Sequence, residues 1–174
     1  LPGLTTGYGG THQAIEDLGL MTLIPGLVVI DPCDATEIMQ ATRAAVEHPG
    51  PVYMRLQRGQ VPVALDPAAH RFAIGRAAWL RRGGDVGIVS TGLMTGRALE
   101  AAEALAREGV AAAVRDGATW KPFDREAVLD FASSTRALVT AENHVVRGGL
   151  ATLVAETLFD AGLRRPLERV GLPD

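Results

Sequence analysis

Residues 27–56, LVVIDPCDATEIMQATRAAVEHPGPVYMRL, decide the fold class. Leu27-Val28-Val29-Ile30 is an unbroken apolar run, as a strand covered on both faces requires. Asp34, or Asp31, caps a helix predicted over 35–47, with Ile38, Ala41 and Ala45 on its inward face. His48-Pro49-Gly50-Pro51 stops that helix, and Val52 to Leu56 reads as the next strand. Strand, helix and strand joined by short connections predict a right-handed parallel βαβ unit, and with it an α/β fold.

The same reading extends in both directions. Upstream, LPGLTTGYGGT is a glycine-rich loop without regular structure, followed by a helix predicted over 13–23 and ended by Pro25-Gly26. Downstream, residues 60–71 hold two prolines and no periodicity, and read as a linker between two domains. Alternation then resumes. Strands are predicted at 77–80, 86–90, 111–115, 137–141 and 168–171, with helices at 94–107, 125–132 and 150–160. The second domain, 72–174, is thus expected to be an open α/β sheet of mostly parallel strands, and 1–59 to be the end of another α/β domain.

Composition narrows the function. A chain of 174 residues buries roughly 70% of its unfolded surface without metal or disulfide staples. The net charge of −3 gives no basic field for a nucleic-acid backbone, and 5% aromatics are too few for base stacking. The single cysteine, Cys33, excludes an internal disulfide. The most apolar stretch, 18–30, is cut by Thr22 and Pro25-Gly26, short of the ~20 residues a membrane helix needs. A cytoplasmic protein with no nucleic-acid or membrane partner is expected. The chain opens Leu-Pro-Gly and closes Leu-Pro-Asp, and is expected to be a piece of a longer protein or a trimmed subunit.

Two residues stand out for chemistry. Gly7-Tyr8-Gly9-Gly10-Thr11-His12 has neither the third glycine of a dinucleotide fingerprint nor the Gly-Lys-Ser/Thr of a P-loop. Its glycines allow close approach to a ligand and place His12 at the mouth of the predicted helix, where an imidazole would face an anionic or oxyanion substrate. Arg58 lies just past a predicted parallel strand, at the edge where open α/β sheets bind ligands, and its guanidinium matches a phosphate. The plain alternatives are a glycine turn with a capping histidine and a solvated arginine. Elsewhere, 92–96 opens a helix, where backbone N–H groups can seat an anion, but such loops also arise from packing alone, and packing is the expected reading. Glu142-Asn143-His144 offers polar machinery or an interface, without metal-ligand spacing. Asp31, Asp34 and Glu37 are expected to cap a helix, and His48 and His70 to be surface residues.

In order along the chain these stretches resemble one family. Gly9-Gly10-Thr11-His12-Gln13-Ala14-Ile15-Glu16-Asp17 is similar to the G-x-T-H-Q-x-x-E-D signature of transketolases, and residues 24–37 continue it in register. Val52-Tyr53-Met54-Arg55-Leu56-Gln57-Arg58-Gly59 resembles the family's strand and arginine. Lys121-Pro122-Phe123-Asp124, Thr140-Ala141-Glu142-Asn143-His144 and Gly148-Gly149-Leu150 resemble its C-terminal domain. The resemblance covers essentially the whole chain and is nearest in kind to the small subunit of two-chain transketolases. It implies that 1–59 end a pyrimidine-binding domain, that 60–71 link, and that 72–174 form most of the transketolase C-terminal domain.

The resemblance also implies chemistry: transfer of a two-carbon ketol unit between sugar phosphates, with thiamine diphosphate and a divalent cation (Mg2+ or Ca2+). His12 would face the substrate's carbonyl-derived oxygen and Arg58 its phosphate. Tyr8 stands where single-chain members carry an aspartate that reads a sugar hydroxyl, so the usual stereochemical preference is not implied. The cofactor's activating glutamate, its stacking aromatic and the metal and diphosphate ligands match no residue here. They are expected upstream or on a diphosphate-binding domain or subunit, within a homo- or hetero-oligomer. The chain alone is expected to be inactive and to leave an edge of its first strands unpaired. Related expectations are a deoxyxylulose-phosphate synthase-like part and a non-catalytic regulatory or oligomerisation module.

Overall fold

A computed structural model describes residues 2–5 and 7–173. In chain order the elements are α1 (Asp17–Thr22), β1 (Val28–Ile30), α2 (Ala35–Glu47), β2 (Val52–Met54), β3 (Ala78–Arg81), β4 (Val86–Ser90), α3 (Met94–Arg107), β5 (Ala112–Asp116), β6 (Thr119–Lys121), α4 (Arg125–Ser134), β7 (Ala137–Val145), α5 (Leu150–Asp160) and β8 (Leu167–Leu172). The βαβ unit forms as its sequence requires: β1 and β2 pair in parallel, Val28 opposite Val52 and Ile30 opposite Met54. Asp34 caps α2 by accepting the Glu37 N–H at 3.0 Å.

The strands make two sheets, β2-β1-β6 and β3-β5-β4-β7-β8. In the larger sheet β4, β5, β7 and β8 are parallel, and β3 closes one edge antiparallel to β5. The smaller sheet departs from expectation. The second edge of β1 is taken by β6, running antiparallel, so β1 sits in the middle with both edges paired. Three residues between Gly117 and Pro122 are too short to show a period, which is why β6 escapes a periodicity reading.

Packing follows the same seam. Leu18 and Val29 share a buried cluster with Trp120, Phe131, Leu138, Leu150 and Val154, so the early segment and the large sheet bury apolar surface against each other. Residues 60–71 carry no helix or strand. Leu65 is nonetheless buried, and the Ala64 and Leu65 N–H groups both donate to Asp34 Oδ2 at 2.8 Å.

The first helix is shorter than its apolar spacing predicts. It begins at Asp17 because the backbone before it is committed elsewhere. The Ala14 carbonyl accepts from Gly3 N–H and from Arg55, the Ile15 carbonyl from Val145 N–H, and the Ile15 N–H donates to the Glu16 side chain. A helix needs those carbonyls for its own i→i−4 bonds. Among the described residues, no helix is long and apolar enough to cross a membrane.

Candidate functional site

The glycine loop folds on itself before it reaches α1. Gly9, at φ +72°, turns the chain so that its carbonyl accepts from His12 and Gln13 N–H, while its own N–H donates to Gln13 Oε1 at 2.9 Å. The turn exposes Tyr8 and His12, their rings 5.6 Å apart. Thr11 Oγ1 lies 2.9 Å from His12 Nδ1, so that nitrogen is engaged within the turn. Past β2 the chain brings the exposed Arg58 to the same face, its guanidinium carbon 5.2 Å from the Tyr8 ring centre. Tyr8, His12 and Arg58, up to fifty residues apart in sequence, thus share one exposed face. Because α1 starts only at Asp17, its dipole is not at His12, and the expectation of a histidine held at a helix mouth is corrected.

Beneath that face lies a buried ionic junction. Arg55 places Nε and Nη2 on the two oxygens of Asp17, at 3.0 and 2.9 Å. Its Nη2 also reaches the Ala14 carbonyl, and its Nη1 the Asn143 carbonyl at 3.0 Å. Tyr53 donates its hydroxyl to Asp17 as well. Sequence reasoning passed over Arg55 and Asp17. The available signal was a guanidinium directly after the apolar run of β2 and a carboxylate at the start of an apolar helix, charges that such places accept only when paired.

The acidic residues near α2 do more than cap it. Asp31 is buried 3.9 Å from Arg55 and accepts from Thr91 Oγ1 at 3.1 Å, and burial pushes its carboxyl up to about 7. A Cβ at Gly92 would sit 2.4 Å from that carboxylate, so Asp31 packs into the space before α3, in keeping with a packing role for 92–96. Glu37 accepts the Cys33 N–H, and its other oxygen is 3.3 Å from His70 Nε2. His70 is buried, contrary to its expected surface position, because the 60–71 segment packs on α2. Asp116 accepts from Thr95 Oγ1 at 2.7 Å and faces Glu37. Burial raises both carboxyls, and Glu37 raises Asp116 further, whereas the contact with Asp116 works in the opposite direction on Glu37. Donor atoms of Cys33, Glu37 and Asp116 lie within 4.8 Å of one another, the one grouping among the described residues that approaches metal-ligand spacing.

The Glu142-Asn143-His144 run proves to be an interface. Glu142 accepts the Leu150 and Ala151 N–H groups, capping α5 from β7, and burial lifts its carboxyl to about 7. Asn143 Oδ1 accepts the Leu4 N–H at 2.9 Å. His144 Nε2 accepts the Gly19 N–H at 3.1 Å, and burial lowers its tendency to protonate. All three face inward, against helix ends and the glycine loop. The exposed face itself offers a phenol, an imidazole and a guanidinium. Such donors fit hydroxyl, carbonyl and phosphate oxygens; a metal-bound diphosphate calls for a set of oxygen ligands that these residues do not make.

Comparisons with known proteins identify the family. The family described as "Transketolase, pyrimidine binding domain" matches residues 2–63, and that described as "Transketolase, C-terminal domain" matches residues 75–174. An uncharacterized transketolase family protein of Sinorhizobium fredii, y4mN, is 51% identical over 100% of this chain and 51% of its own length. The 6-deoxy-6-sulfo-D-fructose transketolase subunit SqwH of a Clostridium species is 46% identical over 99% of this chain and 53% of its own length. The chain therefore spans about half the length of these curated relatives. A 1-deoxy-D-xylulose-5-phosphate synthase of Heliobacterium modesticaldum is 39% identical, with 27% of its length covered. Among solved structures, a split gene transketolase, described as an inactive beta4 tetramer, superposes with a TM-score of 0.89 at 47% identity, covering 94% of this chain and 54% of that one. A transketolase from Campylobacter jejuni, at 18% identity and TM-score 0.71, shares the fold.

Proposed function

Because the chain belongs to the transketolase family, we propose that it supplies the substrate-facing half of a thiamine-diphosphate-dependent ketol transfer between sugar phosphates. The observation that carries this reading is the convergence of Tyr8, His12 and Arg58 on one exposed face. His12 Nε2 donates to the carbonyl-derived oxygen of the ketose, where negative charge develops as the two-carbon unit is released. Arg58 holds the phosphate by charge-assisted bonds. Tyr8 lies between them, its ring against Arg58, where a sugar chain would run.

The cofactor, when bound, supplies the carbanion chemistry that this chain's residues do not. Its diphosphate and divalent cation are held by a diphosphate-binding domain or partner subunit in an oligomer, located in the cytoplasm. The pyrimidine-binding and C-terminal assignments to 1–59 and 72–174, with 60–71 between them, belong to the same proposal.

The test uses the full-length protein together with its diphosphate-binding partner, thiamine diphosphate and Mg2+. A ketose phosphate donor and an aldose phosphate acceptor are supplied, and pyruvate replaces the ketose in a parallel assay. Ketol transfer from the ketose is the expected result. Condensation of pyruvate instead, matching the synthase relatives, would overturn the donor assignment, and no turnover with either donor would overturn the enzymatic reading.

A further inference from the structure

Both segments that bear the exposed face rest on one residue of the large sheet. Asn143, 7% exposed near the end of β7, receives the Leu4 N–H on its side-chain oxygen and Arg55 Nη1 on its backbone carbonyl. Leu4 leads into the turn that displays Tyr8 and His12; Arg55 leads, three residues on, to Arg58. Gly3, at φ +60°, packs directly on the carboxamide: a Cβ there would lie 2.3 Å from Asn143 Nδ2.

The loop is closed at its base. Gly3 N–H donates to the Ala14 carbonyl at 2.7 Å, Arg55 Nη2 donates to that same oxygen, and Val145 N–H holds the Ile15 carbonyl at 2.8 Å. The chain therefore leaves the junction at Leu4 and returns at Ala14, and residues 7–12 between them are exposed. A loop with both ends fixed loses little further freedom when a ligand arrives, and its side chains keep a set distance from Arg58.

We propose that Asn143 is a positioning residue. Through the Leu4 N–H and Arg55, it sets the place of the His12 loop relative to Arg58, and this is what the C-terminal sheet contributes to the site. The inference rests on the proposed roles of His12 and Arg58, but its central readout does not depend on turnover.

The experiment compares full-length wild type, Asn143→Ala, Asn143→Asp and Gly3→Ala by amide hydrogen exchange, with thermal unfolding and steady-state kinetics of the assembled enzyme alongside. Asn143→Ala removes the acceptor. Exchange across residues 3–13 should rise about tenfold or more while β4 and β5 keep their protection. Asn143→Asp keeps the acceptor and should restore slow exchange. Gly3→Ala crowds the carboxamide from the other side and strains the φ +60° backbone, so a freed loop with β4 and β5 still protected reports the same contact even where Asn143→Ala folds poorly. The kcat should fall about 10- to 100-fold in the two loop-releasing variants, with most of it recovered in Asn143→Asp.

Unchanged exchange at 3–13 in both Asn143→Ala and Gly3→Ala overturns the proposal. So does a rise spread equally over β4 and β5, or a freed loop with undiminished kcat. A freed loop in a protein whose wild type transfers no ketol unit upholds the positioning role and removes the proposed function instead.

Discussion

The exposed face and the junction under it are built from adjoining stretches of chain and by opposite rules. Tyr8, His12 and Arg58 stand in solvent, each with few contacts. Arg55 and Asp17 lie a few residues away in sequence, and with the more distant Asp31 and Asn143 they are buried and joined to one another or to the backbone. A face that must admit a substrate cannot be rigidified by its own side chains, so its order is set from below. Substitutions above should therefore cost chemistry and leave the fold intact, while substitutions below should cost the fold first.

The sharpest way to break that contrast is Arg55→Met. The variant strands Asp17 and Asp31 as buried carboxylates without their cation, and losing one partner of such a pair costs about 3–5 kcal/mol. Urea unfolding should show this as a lower midpoint at unchanged m-value. A midpoint within experimental error of wild type would mean that the junction is not the foundation described.

Above the junction, His12→Ala should lower kcat by ~10²–10³, the usual cost of losing a donor to developing negative charge. Arg58→Ala should lower kcat/KM by about 10–100 for phosphorylated sugars and hardly at all for unphosphorylated analogues. Both variants should unfold at the wild-type temperature. Equal losses on both classes of sugar would remove the phosphate role of Arg58. An unstable His12→Ala protein would return that residue to a capping role.

Much of the fold was legible in the sequence, the buried junction was not, and the reasons for the gaps are local. The parallel pairing of β1 and β2 follows from two apolar runs around a well-capped helix. His12, Tyr8 and Arg58 were visible as chemistry, but their common face depends on a turn at Gly9 that no period encodes. The start of α1 was misjudged because apolar spacing does not register carbonyls already taken by Gly3, Arg55 and Val145. The polarity of Asn143 and His144 left site machinery and an interface both open. Their burial, with Asn143 receiving the Leu4 N–H and His144 the Gly19 N–H, selects the interface.

A pH series probes a second point of attachment, where the 60–71 segment and the large sheet meet α2. Burial raises both Glu37 and Asp116, and Glu37 raises Asp116 further, so the pair in the folded chain holds a proton that the unfolded chain, with carboxyls near their ordinary 4.5 and 3.8, releases. That contribution to stability is full below the unfolded values. It is lost as pH climbs through the raised folded ones, because unfolding then releases protons. Glu37→Gln keeps an acceptor for Cys33 N–H and gives Asp116 a neutral donor. Between pH 4.5 and neutrality the stability of Glu37→Gln should therefore fall less steeply than that of wild type. Parallel curves would show that the two carboxyls share no proton.

The smallest effect belongs to the least anchored contact, Arg58 over Tyr8 at 5.2 Å. An exposed guanidinium above an aromatic face is worth ~0.5–1 kcal/mol. Tyr8→Leu should therefore raise KM for a sugar phosphate about two- to fivefold, with kcat and unfolding temperature unchanged. Tyr8→Phe separates the two things a tyrosine offers. If the ring orients Arg58, the phenylalanine variant matches wild type; if the hydroxyl reads a sugar hydroxyl, it behaves like the leucine variant. In the second case Tyr8 takes over, as a neutral hydrogen-bonding group, the reading that an aspartate performs in single-chain relatives. The loss should then appear with hydroxylated sugars and disappear with deoxy analogues. A Tyr8→Leu variant indistinguishable from wild type on every sugar would leave the exposed face with two working residues instead of three.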